Sequence, residues 1–107
     1  MNEERVNQLK KFLSEAPNDP FVKYALALEF IEEQPEQSEK YFRDLLDHHP
    51  DYLPAYFHAA DLFVDLEEYD EAKITYEKGI ELSRKQKDQK TLAELQNAYQ
   101  NFLFEMD

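Results

Sequence analysis

The chain has 107 residues and a formal net charge of −12, from 24 Asp and Glu against 12 Lys and Arg. That balance argues against nucleic acids and anionic membranes as partners, since both are bound through Lys and Arg. With no cysteine there is neither a disulfide scaffold nor a thiolate metal site, and one glycine rules out a glycine-rich phosphate loop.

A chain whose only glycine is Gly79 lacks the positive-φ turns of sheet proteins, which leaves helices joined by short Pro, Asp and Asn connections. The first helix is expected over 3–16, where Val6, Leu9, Phe12 and Leu13 recur at three- and four-residue steps. Pro17-Asn18-Asp19-Pro20 breaks it; Asp19 is suited to cap a second helix and Pro20 to open it. That second helix is apolar on nearly every side, from Phe21 to Ile31, and ends at Gln34-Pro35. A third runs from Pro35 to His48 on a stripe of Tyr41, Phe42, Leu45 and Leu46, and Pro50 breaks the chain again. A fourth is predicted over Tyr52–Leu66, a fifth from Tyr69-Asp70 to Lys85 with Asp70 as cap, and a sixth over 88–105. Either Asp88 or a Thr91/Glu94 capping box starts the sixth.

Pro17, Pro50 and Arg84 stand 33 and 34 residues apart at equivalent points of a helix–turn–helix pattern, which is an internal repeat. The stretch Ala55-Tyr56-Phe57-His58-Ala59-Ala60-Asp61-Leu62-Phe63 resembles the first helix of a tetratricopeptide repeat, as found in small bacterial proteins of that family. Tyr56 stands at the family's large aromatic, Ala60 at its small residue and Phe63 at its tyrosine; Ala72, Tyr76 and Gly79 stand at the alanine, aromatic and alanine of the second helix. Arg84 replaces the closing proline. In the earlier repeat Leu26, Ala27, Phe30, Phe42, Leu45 and Pro50 match, while Gln34-Pro35 replaces the turn glycine and Ser38 an alanine. The resemblance implies an all-α, right-handed α-solenoid of antiparallel helix pairs in a single domain, 1–107. Residues 1–17 would be a half-repeat helix, 18–50 the first repeat, 51–84 the second and 85–107 a capping helix. The chain starts at Met1 and reads as a small protein or as one domain of a longer one.

In such a fold the first helix of each pair lines the concave side. The resemblance thus assigns a groove to Phe21, Tyr24, Leu28 and Ile31 in the first repeat and to Phe57, His58, Asp61, Val64 and Asp65 in the second. Two readings of this lining stand side by side: a binding groove for an apolar segment with basic flanks, or residues simply buried in the core. The family's clamp for acidic chaperone C-termini uses Lys, Asn and Arg; Tyr24, Leu28 and His58 stand at those sites and do not supply it. In the last helix Leu92, Leu95, Tyr99, Phe102 and Met106 recur like a short heptad seam. It either covers the fifth helix, leaving Phe104 exposed, or forms a homodimer seam of Leu92, Leu95, Tyr99, Phe102 and Phe104.

His48 and His49 with Asp47 and Asp51 resemble a metal site only loosely, because adjacent histidines point apart and no third ligand is placed by spacing. No cofactor, metal or catalytic residue is expected. The function expected is that of a protein-binding adaptor, a monomer or weak homodimer. The alternatives are self-association through the last helix, or a small acidic regulatory subunit of a basic enzyme. The charged start Met1-Asn2-Glu3-Glu4-Arg5 is no secretory leader, so the expected location is cytoplasmic.

Overall fold

The structure, a computed structural model, describes residues 1–107. It consists of six helices: α1 (Glu3–Glu15), α2 (Pro20–Phe30), α3 (Pro35–His48), α4 (Pro54–Asp65), α5 (Tyr69–Lys85) and α6 (Gln89–Met106). These gather into two compact units, Met1–Ala55 and Tyr56–Asp107.

In the first unit, the Asn2 side chain caps α1 by accepting the Arg5 N–H at 3.0 Å. Val6 and Leu9 then bury against Val22, Ala25, Leu26 and Phe30 of α2, with Leu13 and Tyr41 closing the edge of the cluster. Phe12 departs from the predicted stripe and is 51% exposed. It stands one residue from Leu13, about 100° around the helix, and so points away from α2. Asp19 caps α2 as expected, accepting the Phe21 N–H at 2.9 Å ahead of Pro20. α2 packs on α1 on one side and on α3 on the other, which is why it can be apolar nearly all round.

α2 stops at Phe30 rather than at Gln34. The Ile31 N–H turns to the Leu28 carbonyl, and Gln34, restricted by Pro35, leaves the helical region. One carbonyl of that last turn, on Ala27, accepts instead from the fully buried Ser38 hydroxyl of α3 at 2.7 Å. A residue that departs from the family alanine thus satisfies a helix-end group. Lys23 is also buried. Its Nζ lies 2.6 Å from Asp44 Oδ2 and 3.2 Å from His49 Nε2, and the second oxygen of Asp44 lies 2.7 Å from His48 Nδ1.

In the second unit, α4 begins at Pro54 and not at Tyr52, because Leu53 precedes a proline. Both interhelical turns use left-handed backbone without glycine: Glu67 at φ 60° and Lys87 at φ 58°. Glu68 donates to Phe63 O at 2.8 Å and Glu67 to Val64 O at 3.0 Å; Asp88 and Lys87 repeat the pattern with Ser83 and Arg84. These paired bonds satisfy the helix-end carbonyls, and the conformation is one that glycine adopts without strain. Glu67→Gly is therefore expected to raise stability by roughly 0.5–1 kcal/mol, the αL strain removed less the extra flexibility of unfolded glycine. Chemical denaturation checks this; a lowered midpoint contradicts it.

Asp70 does not cap α5, since Glu68 occupies that position without a side-chain bond and Asp70 sits in the first turn. Asp88 caps α6, accepting the Thr91 N–H at 3.0 Å, so the Thr91/Glu94 box is not what starts this helix. α4 meets α5 where Tyr56 crosses Gly79, and α6 covers the same spot with Leu95.

Candidate functional site

In the first unit, Phe21, Tyr24 and Leu28 follow one another at three- and four-residue steps along α2 and share one face. They line an open groove of about 400 Å³, together with Ala25 and Glu29 of α2, Glu32 of the turn that follows it, and Met1 and Arg5 of the N-terminal segment. The groove wall is held by two ion pairs: Arg5 Nε of α1 to Glu29 Oε1 of α2 at 2.9 Å, and the N-terminal ammonium to Glu33 in the turn after α2. Phe21 is 64% exposed at the mouth. Tyr24 is half-buried because its ring packs edge-on to Phe42 and Tyr52, with centroids 6.5 Å and 5.7 Å away. Burial, and then the neighbouring Tyr52, push its hydroxyl pKa up. Ile31 is half-buried and lies outside the groove lining.

In the second unit the predicted residues of α4 are Phe57, His58, Asp61, Val64 and Asp65. Phe57 is 36% exposed and stands edge-on to the His58 ring at 5.6 Å. Asp61 and Asp65 are exposed, while His58 and Val64 are half-buried. Burial and then the Asp65 charge raise the Asp61 pKa, and His58 opposes them. Of the nine predicted residues, Phe21, Phe57, Asp61 and Asp65 are exposed, and Tyr24, Leu28, Ile31, His58 and Val64 are half-buried.

The homodimer seam read on α6 is spent inside the unit. Leu95 is fully buried and reaches Gly79 of α5; Phe102 is buried with its ring 5.7 Å from Tyr76. Tyr99 stacks on Tyr76 at 5.6 Å and donates to Glu77 of α5 at 2.7 Å, and Leu92 is half-buried. Of the five seam residues only Phe104 stays fully available, 84% exposed, because it lies off the stripe. The histidine cluster splits in the same way, with His48 turned to Asp44 and His49 to Lys23.

Helix pairs of this size, small residues at Ala27, Ala60 and Ala72 with no exposure, and an aromatic ring crossing Gly79 are the repeat's packing scheme. The sequence profile of the tetratricopeptide repeat matches residues 29–95. The chain belongs to that family. It is similar to the tetratricopeptide repeat domain protein of Salinibacter ruber, whose crystal structure is 38% identical in sequence with a TM-score of 0.75, over 78% of this chain and 94% of that one. The solution NMR structure of that domain gives the same identity and score over 80% and 88%. No curated protein matches the chain. Repeats of this family mediate protein–protein interaction. No helix is long and apolar enough to cross a membrane.

Sequence reasoning missed Arg5, Glu29 and Glu32, which line the groove of the first unit. Glu32 was within reach: residues 21, 25, 28 and 32 continue one helical face at four-, three- and four-residue steps. Arg5 depends on how α1 docks, which no local pattern encodes.

Proposed function

We propose that the protein is an adaptor that binds partner polypeptide on the exposed face of α2 in the first unit and, separately, on that of α4 in the second. The observation that carries this reading is the exposed Phe21 at the mouth of a groove lined by Tyr24, Ala25 and Leu28. An exposed aromatic ring continuous with an apolar groove makes a patch that a partner can cover. The α2 groove suits an apolar side chain. The α4 face, with Phe57 beside Asp61 and Asp65, suits an apolar residue followed by a basic one.

The choice of variant matters. Tyr24 packs on Phe42 and Tyr52, so a charge there would unsettle the unit itself. Phe21→Glu and Phe57→Glu alter exposed rings and are expected to leave the helical circular dichroism unchanged. Affinity capture from lysate of the source cells is expected to lose a wild-type partner with each folded variant. A partner retained by both variants rules the reading out.

A further inference from the structure

The helices α1, α3 and α5 can be compared position by position, because Pro17, Pro50 and Arg84 stand at equivalent points near their ends. Eight residues before those points come Leu9, Phe42 and Tyr76, and all three are buried. Twelve before come Arg5, Ser38 and Ala72, and five before come Phe12, Leu45 and Gly79. In α3 and α5 these positions are buried and face the first helix of the same pair. The Ser38 hydroxyl donates to the Ala27 carbonyl of α2, and Gly79 lies against Tyr56 of α4. In α1 the same positions are open, with the Arg5 side chain 58% and Phe12 51% exposed. α1 is thus the second helix of a pair whose first helix is missing.

The uncovered flank borders the α2 groove. The start of α1 meets the end of α2 through the Arg5–Glu29 pair, so the two helices run antiparallel. Phe12, about two turns beyond Arg5, therefore lies toward the start of α2, where Phe21 is exposed. A slot results along both helices. Phe12 and Phe21 stand toward one end, Tyr24 and Leu28 along it, and Glu32 at the other end. Arg5 and the N-terminal ammonium are held by Glu29 and Glu33, and Glu32 enters neither pair.

We propose that this slot receives a cationic amphipathic α-helix of the partner polypeptide, seated against α1 and α2 as the missing first helix. This deepens the adaptor reading of the α2 face and rests on it. Where Tyr56 crosses Gly79, a large residue of the first helix meets a small one of the second. Phe12 reverses the sizes, so the guest presents a small residue there. Its length is that of α2 or α3, 11 or 14 residues. A first helix runs antiparallel to α1, hence parallel to α2, which brings its C-terminal turn to Glu32. A Lys or Arg in that turn answers both the carboxylate and the helix dipole. The net charge of −12 attracts a cationic guest and opposes a second copy of the chain. A second copy also offers the wrong surface. Its end helix α6 lines its open groove with Gln96, Asn97, Gln100 and Asn101, an amide face unsuited to Phe12 and Phe21.

The test is an NMR titration of the full chain with a synthetic peptide of about four helical turns. The peptide carries Leu at three- and four-residue steps, Ala beside that stripe, and Lys on the outer face and in the last turn. One control has the same composition with the leucines scattered; another has Pro at its centre, which breaks the helix. Saturable shifts at Arg5, Phe12, Phe21, Tyr24 and Leu28 are expected with the first peptide alone, with a gain in helical circular dichroism. Phe12→Glu is expected to weaken binding at least about tenfold, and Glu32→Gln by a smaller factor. Both side chains are exposed, so neither change is expected to alter the circular dichroism of the chain itself. The proposal is overturned by absent saturation, by equal binding of either control, or by shifts confined to α2 that ignore Phe12→Glu. A dimer of the chain alone that sedimentation detects and Phe12→Glu dissolves gives the slot to a second copy, and overturns it too. In each of these cases, capture that still depends on Phe21 and Phe57 leaves the adaptor reading standing. Peptide binding through Phe12, with capture indifferent to Phe21 and Phe57, supports the slot and sinks the adaptor reading instead.

Discussion

Gly79→Val is expected to destabilise the second unit by about 3 kcal/mol or more. A Cβ at this position would lie 2.9 Å from Tyr56 Cβ, 3.1 Å from Leu95 Cδ1 and 3.3 Å from Tyr56 Cγ. The Leu95 methyl can swing away, but Tyr56 Cβ is fixed to the α4 backbone, so the helices themselves must part. Gly79→Ala is the finer test. Alanine gains about 1 kcal/mol in helix propensity, and overpacking costs about 1–3 kcal/mol, so a net loss of roughly 1 kcal/mol is expected. Thermal denaturation followed by circular dichroism measures both. An alanine variant that melts at or above the wild-type midpoint shows that the α4–α5 contact relaxes freely.

The second large effect concerns Lys23, which is 7% exposed. Asp44→Ala would leave its ammonium buried with only His49 Nε2 nearby, and is expected to cost about 3 kcal/mol, at the low end for a buried pair because Asp44 is partly exposed. Lys23→Met is expected to cost much less, since the stem stays packed and Asp44 keeps water and His48. A pH dependence follows. Burial raises the Asp44 pKa, but the hydrogen bond and charge of Lys23, and then those of His48, outweigh it and hold the carboxyl below its ordinary 3.8. A depressed folded-state pKa means the contribution is complete above the unfolded value and is lost as pH falls through the folded one. Wild type should therefore lose stability below 3.8 more steeply than Asp44→Asn. Parallel acid-denaturation curves for the two would show that the pair contributes nothing.

Much of this fold is legible in local sequence because its punctuation is local. Asp19, Pro20, Pro35, Pro54 and Asp88 act within one turn of their own positions, and all five mark helix starts in the structure. The tight turns were not legible, because Glu67 and Lys87 adopt a conformation for which glycine is the usual signal. The Lys23–Asp44–His48 network was hidden for a different reason. A lysine inside an apolar run looks like a solvated break, and its partner comes from the next helix.

The candidate faces were partly legible. Phe21, Tyr24 and Leu28 share a groove because helical spacing alone aligns them, whereas Ile31 falls outside it. On α6, periodicity found a true apolar stripe but could not say what covers it; Leu95 and Phe102 are taken by α5.

The most direct test of the adaptor reading is hydrogen exchange by mass spectrometry on the chain alone and with its captured partner bound. Added protection concentrated on residues 20–30 and 54–65, the spans of α2 and α4, is the expected result. Protection confined to the end of α6 around Phe104, with α2 and α4 unchanged, would contradict it.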